Sequence, residues 1–175
     1  MKHTILILLL LIKTSLFYSQ TIIAPNYALK SHETLIISKI DVSREKTVVY
    51  LSIENRIVGG QFCADRNIFI INPDGTRSKL TSSSGIPVCP DSYKFKAIGE
   101  KLDFILTFQS LKTGTEWIDI IEECTKDCFW FYGVTLDNDL NKKLDEAFLQ
   151  ASKRKPAENM ILFKNILDIL DSENL

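Results

Sequence analysis

Histidine is nearly absent from this 175-residue chain, which contains only His3 and His32. Its scarcity removes the commonest general base, because histidine is the side chain whose ordinary pKa lies nearest to neutral pH. No His-Glu-x-x-His, Gly-x-Ser-x-Gly or phosphate-cradling glycine loop occurs either. The adjacent Glu122 and Glu123 fall in a predicted strand, where neighbouring side chains point to opposite faces. We therefore expect no enzymatic activity and no cofactor, and we interpret His32 as a solvated linker residue.

The sequence also lacks an excess of positive charge, with 21 basic and 22 acidic residues. Its first nineteen residues contain Lys2 and Lys13 and no acidic residue, so the remainder carries 19 basic against 22 acidic residues. The resulting net charge of about −3 offers no general electrostatic attraction to the phosphates of nucleic acid. The sequence also contains no polybasic segment suited to a membrane surface. We expect no nucleic-acid partner.

Long hydrophobic runs are missing apart from one near the N-terminus. Met1-Lys2-His3 precedes an apolar run over residues 5–12 and a more polar stretch that ends at Gln20. This order is typical of a signal peptide, and the run is shorter than the about 20 apolar residues that span a bilayer. We predict a signal peptide over residues 1–19, cleaved after Ser19 or Gln20. The product is expected to be periplasmic or secreted, without stable membrane insertion; a permanent membrane anchor is the alternative.

Cysteine is scarce, and none of the four cysteines precedes Cys63, so no lipid-bearing cysteine stands at the predicted mature N-terminus. In an exported chain four cysteines are most simply two structural disulfides. Of the three connectivities we favour Cys63 with Cys89 and Cys124 with Cys128. Four thiolates binding a metal, or a catalytic disulfide, are the alternatives. The spacing favours neither, because only one closely spaced pair exists and no Cys-x-x-Cys is present.

The middle of the chain is a succession of short runs rich in β-branched and aromatic residues, which indicates strands. Residues 35–42 and 47–55 are predicted to form a hairpin, and residues 68–71 lead into the turn Asn72-Pro73-Asp74-Gly75. Residues 101–108 alternate between apolar and polar side chains, which predicts one buried face and one face in water. A last hairpin is predicted from residues 116–123 and 129–136.

These runs predict the fold class. Seven or eight short strands without intervening helices favour an antiparallel immunoglobulin-like β-sandwich over residues 20–136, with a closed barrel as the alternative. The apolar positions of two strands are expected to lie in one core between two sheets. They are Val49, Leu51, Ile53, Leu102, Phe104, Leu106 and Phe108.

After residue 136 the apolar period changes from two to about 3.6, which predicts a pair of α-helices over residues 137–175. The first, over 138–152, places Leu140, Leu144 and Phe148 on one stripe, expected to pack against the sandwich. Pro156 separates it from a second helix over about 157–170, which has a broad apolar band. Such a helix pair could instead contact a partner or a second copy of the chain.

Three segments of this sequence carry a resemblance to a known family: Cys63-Ala64-Asp65-Arg66-Asn67; Gly85-Ile86-Pro87-Val88-Cys89-Pro90; and Trp117-Ile118-Asp119-Ile120-Ile121-Glu122-Glu123 with Phe129-Trp130-Phe131-Tyr132-Gly133-Val134. Together they resemble a family of small secreted proteins of the Bacteroidetes with an immunoglobulin-like β-sandwich, sometimes fused ahead of a thioredoxin-like domain. The resemblance spans residues 25–150. It implies a fold and a compartment and no activity, and this chain has neither the thioredoxin-like domain nor a Cys-x-x-Cys.

The aromatic run 129–132 sends Phe129 and Phe131 to one face of the last strand and Trp130 and Tyr132 to the other. The first pair is expected in the core. The second lies either under the C-terminal helices, which we favour because the helices need a surface to cover, or on an exposed platform for a sugar or a peptide. We expect a non-catalytic extracytoplasmic binding or accessory module that contacts a protein or a cell-envelope glycan. The alternatives are an interaction or oligomerisation protein acting through its helices, and a thiol-based metal carrier or redox protein.

Overall fold

The computed structural model describes residues 19–153 and two further positions, Lys164 and Asp168. The body of the predicted signal peptide and the predicted second C-terminal helix lie outside the described residues. Within residues 19–153 the chain is mainly β, as expected. The elements are β1 (Ser19–Ile23), β2 (Leu29–Lys30), β3 (Ile36–Ser43), β4 (Lys46–Glu54), β5 (Gln61–Phe62), β6 (Ile68–Ile71), β7 (Arg77–Ser84), β8 (Tyr93–Lys94), β9 (Lys101–Gln109), β10 (Trp117–Glu122), β11 (Trp130–Thr135) and α1 (Asn138–Ser152).

Nine of the strands form one curled antiparallel sheet in the order β1-β3-β4-β9-β7-β6-β10-β11-β2. The remaining two, β5 and β8, pair with each other beside it. The inward faces of strands from both halves of the large sheet supply a single buried cluster, to which β3, β4 and β9 contribute from one half and β6, β10 and β11 from the other. The curl therefore brings the two halves of the sheet around a common core.

Both predicted hairpins are confirmed, and the predicted turn also joins two paired strands. β3 pairs with β4, β6 pairs with β7 around the Asn72–Gly75 turn, and β10 pairs with β11. β4 and β9 are neighbours in continuous register, with Leu51 opposite Phe104. The expected alternation is also confirmed, because every residue assigned to the core face of these two strands is buried: Val49, Leu51, Ile53, Leu102, Phe104, Leu106 and Phe108.

The structure contains more strands than the seven or eight expected, and the additional ones share weak sequence signals. β7 has the composition Arg-Ser-Lys-Leu-Thr-Ser-Ser-Ser, and mainly polar residues form a strand there because β6 and β9 supply pairing partners on both sides. β1 begins at Ser19, which is the predicted last residue of the signal peptide, and all five residues of β1 pair with β3. β2, β5 and β8 contain two residues each, too few for a periodic pattern.

Helix α1 is confirmed over the predicted residues, and Asp137 caps it by accepting hydrogen bonds from the backbone N–H groups of Asp139 and Leu140. Leu140 and Leu144 are buried, but Phe148 is 46% exposed, so its assignment to the packed stripe is wrong. In the first half of the helix buried Asn141 donates from Nδ2 to the carbonyl of Thr135 and accepts the backbone N–H of Asn26 at 2.7 Å. Phe148 lies about two turns beyond this tie.

Candidate functional site

Both predicted disulfides are present, and together they use all four cysteines. Cys63 and Cys89 are bonded with their Cα atoms 5.4 Å apart, and Cys124 and Cys128 with theirs 5.6 Å apart. No free thiol remains. The first bridge joins the segments that precede β6 and follow β7, where Ala64 and Val88 also form an isolated parallel bridge. The second closes the turn between β10 and β11.

The two disulfides lie on the wall of one open cleft of about 1000 Å³ at an end of the sheet. The cleft is enclosed by the loop after β4, the β5 strand, the residues before β8 and the β10–β11 turn, and its lining includes His32, Phe62, Asp65 and Glu122. In the part of the chain that the structure describes, no cluster of three or more metal-ligating side chains occurs. The cleft thus combines polar and apolar side chains, and both cross-links contribute to its wall.

Glu122 connects the two sides of this cleft. Its side chain points inward and is buried, while Glu123 is exposed and pairs with Arg77 at 3.0 Å, so the two carboxylates face opposite ways as expected. Oε1 of Glu122 accepts the backbone N–H of Asp65 at 2.7 Å, and Oε2 accepts that of Phe129 at 2.9 Å. Burial raises the pKa of Glu122, and the two N–H donors oppose this rise. The residue ties the Cys63 segment to the last hairpin.

His32 is half-buried in the cleft, so its interpretation as a solvated linker residue is wrong. Its ring stands edge-on to Phe62 with the centroids 6.0 Å apart, and a hydrogen bond of 2.7 Å joins Nδ1 to Oγ of Ser31. Burial lowers the pKa of His32, partly opposed by the charge of Asp127. The neutral form of the imidazole is therefore favoured. No sequence pattern predicts this position, since β2 ends two residues earlier and contains only two residues.

Trp130 and Tyr132 lie together on the outer face of β11. Their ring centroids are 4.8 Å apart with an interplanar angle of 38°. Trp130 is half-buried and Tyr132 is 41% exposed, whereas Phe129 and Phe131 are fully buried in the core. Helix α1 therefore does not cover Tyr132. Leu29, on the edge strand β2, is in register with Tyr132 and is 62% exposed.

The outer face continues from this aromatic pair across β10 and β6. Ile121 is paired with Trp130 on one side and with Phe69 on the other. The guanidinium of Arg77 lies 4.1 Å above the Phe69 ring, and it also holds Glu123. We call the set Leu29, Trp130, Tyr132 and Ile121 the aromatic face. This apolar strip is bordered on one side by the Arg77–Glu123 pair and on the other by the Asp119 carboxylate. Oδ1 of Asp119 accepts the backbone N–H of Gly133 at 2.7 Å.

No family model, no curated protein and no solved structure matches this chain. Among the described residues no helix is long and apolar enough to cross a membrane.

Proposed function

We propose that this protein is an exported, non-catalytic binding module, built as an immunoglobulin-like sandwich, that contacts a cell-envelope glycan or a protein through its aromatic face. The observation that carries the proposal is the half-exposed pair Trp130 and Tyr132 on the outer side of the sheet. Large aromatic side chains are normally placed in the core, as Phe129 and Phe131 are here. A pair left facing solvent is typical of a recognition surface.

Export is supported by the cross-links. Two disulfides persist only in an oxidising compartment, and both lie at surface segments outside the regular core strands. The sandwich assignment is supported by the curl of the nine-stranded antiparallel sheet, whose two halves share one core. The N-terminal apolar run supports a signal peptide over residues 1–19.

A glycan is the ligand that the chemistry of this face favours over a protein. The C–H face of a pyranose ring is apolar and flat, and it packs on aromatic rings, while its hydroxyl groups need polar partners at the border. The aromatic face offers two adjacent rings, with Asp119 on β10 and the pair formed by Arg77 of β7 and Glu123, which follows β10, beside it. An acidic protein of net charge −3 outside the cytoplasm also has little general attraction for anionic polymers, which favours a neutral or N-acetylated sugar.

Sedimentation with insoluble peptidoglycan and with chitin tests this proposal. We expect the protein to pellet with at least one of these N-acetylated polymers, and Trp130→Ala or Tyr132→Ala to lower the bound fraction at least about fivefold, since stacked aromatics carry about 1 kcal/mol or more each. Tyr50→Ala is the matched control, because this half-buried tyrosine lies on β4 in the other half of the sheet. Equal sedimentation of all variants would refute the assignment of the face.

Self-association through the C-terminal region is a second candidate, favoured by the exposure of Phe148 and Leu149 on α1 at 46% and 56%. Two adjacent large apolar side chains on one helix are suited to a second copy or a partner helix. Light scattering over a concentration series decides this point. A dimer that Phe148→Glu converts to monomer would support the candidate, and a monomer at every concentration would remove it.

A further inference from the structure

Two loops at the cleft end of the sheet expose three aliphatic side chains. Ile57 and Val58 follow β4 and are 65% and 90% exposed, and Ile98 precedes β9 and is 58% exposed. We call these three residues the aliphatic tip. An exposed valine or isoleucine is unremarkable alone, but three on neighbouring loops form a surface that water does not favour.

The two loops are fastened to each other through Asn55, which is buried. Its Nδ2 donates to the carbonyl of Ile57 and to that of Ala97, each at 2.8 Å. Its own carbonyl accepts the backbone N–H of Gly99 at 2.8 Å. Gly60 completes the packing, because a Cβ at that position would lie 2.1 Å from Oδ1 of Asn55. The aliphatic tip is therefore presented by a preorganised frame, and little conformational freedom remains to be lost on docking.

The charged side chains exposed on these two loops are cationic, and two carboxylates, Glu54 and Glu100, stand at the ends of the loops. Arg56 and Lys96 are exposed on the loops and Lys94 at the end of β8, and neither residues 56–60 nor residues 94–99 include an acidic side chain. The neighbouring Glu100 is half-buried and hydrogen-bonded, since Oε1 accepts the Tyr93 hydroxyl at 2.7 Å and Oε2 accepts the backbone N–H groups of Lys96 and Ala97. Glu54 pairs with Arg56 at 3.2 Å, so the cationic border is partly balanced on that side. The loops thus combine exposed aliphatics with cations although the chain as a whole is acidic.

We propose that the aliphatic tip docks this protein peripherally onto a lipid bilayer that carries anionic headgroups. A bilayer interface accepts a projecting apolar tip of any outline, whereas a protein partner would need a matching concave pocket, and Val58 at 90% exposure projects rather than lining a groove. The flanking cations attract an anionic surface, each adding to the affinity at low salt. This docking is independent of the glycan proposal, since it uses loops at the cleft end and not the outer face of β11.

Co-sedimentation with vesicles tests the inference, using protein purified from periplasmic extract with its N-terminus verified by mass spectrometry. Vesicles of neutral phosphatidylcholine are compared with vesicles containing about 30% phosphatidylglycerol. We expect binding to the anionic vesicles, weakened at least about threefold between low salt and 0.5 M salt. The double variant Val58→Asp with Ile98→Asp should bind at least tenfold more weakly. Its melting temperature should stay near that of the wild type, because both side chains are exposed.

Ile23→Asp is the matched control, since it places the same charge at an exposed aliphatic of β1 and should leave vesicle binding unchanged. Val58→Trp provides a second readout, because an indole entering the interface shifts its fluorescence to the blue and should strengthen binding. Absence of wild-type binding, equal binding of the double variant, or equal binding to neutral vesicles would each overturn the proposal. Self-association that the double variant abolishes, without vesicle binding, would overturn it in favour of a contact between copies.

Discussion

The two disulfides differ in the length of chain that they close, and this difference predicts unequal contributions to stability. Cys63 and Cys89 are separated by 26 positions, and Cys124 and Cys128 by only 4. In the loop-entropy model a cross-link stabilises the fold by restricting the unfolded chain. The long bridge then contributes about 3.5 kcal/mol and the short bridge about 2 kcal/mol at 25 °C.

Native contacts enlarge this difference. The long bridge joins a segment held otherwise by the Ala64 to Val88 pairing and by Glu122, whereas the short bridge closes a turn whose two strands already pair. We expect the double variant Cys63→Ala with Cys89→Ala to lower the free energy of unfolding at least about 1 kcal/mol more than Cys124→Ala with Cys128→Ala. Urea denaturation followed by circular dichroism measures both losses. Equal losses, or a larger loss from the short bridge, would refute the reasoning.

Three further perturbations test the described fold. Phe104→Ala should lower the free energy of unfolding by about 3 to 5 kcal/mol, because the ring of Phe104 is fully buried opposite Leu51. A loss below about 1 kcal/mol in urea titration would mean that the buried and exposed faces of β9 are inverted. Gly85→Ala should cost about 1 to 3 kcal/mol more than Gly59→Ala in the same assay: both positions have positive φ, but only at the first would a Cβ lie 2.8 Å from a backbone carbonyl. Folding raises the pKa of Glu122, so the folded protein holds this proton more tightly than the unfolded chain does, and the resulting stabilisation is greatest below the ordinary pKa and falls as pH rises through the raised pKa. The free energy of unfolding of the wild type, relative to that of Glu122→Gln, should therefore decline from pH 4 to pH 7. A rise over this range would contradict the assigned direction of the pKa shift.

The spacing of apolar residues along the chain, together with the turn-forming residues, is sufficient to predict the central strands. The alternation from Leu102 to Phe108 identified the buried face of β9, because a strand with one face in water must separate apolar from polar residues by a period of two. The favoured pairing of Cys63 with Cys89, on either side of the Asn72–Gly75 turn, is also confirmed. These features depend on local pattern, which sequence records directly.

Features that depend on neighbours distant in sequence were not predictable. β7 is polar, and it is a strand because β6 and β9 lie on either side of it. The cleft forms where several separate segments meet, so neither the inward turn of Glu122 nor the half-buried position of His32 follows from the residues around it. Phe148 continues the spacing of Leu140 and Leu144 but is exposed, about two turns beyond the hydrogen bonds of Asn141. The helical spacing of apolar residues identifies which face of a helix is buried, but it does not show how far along the helix the packed surface extends.

The most direct test of the proposed function is a fluorescence titration that observes the aromatic face itself. In a Trp117→Phe background Trp130 is the remaining tryptophan of the chain, and its indole lies beside the Tyr132 ring. Titration with soluble oligomers of N-acetylglucosamine should give a saturable change in Trp130 emission, and Tyr132→Ala should weaken the midpoint at least about fivefold. An emission that stays constant while the protein still binds the polymer would contradict the assignment of the aromatic face as the binding site.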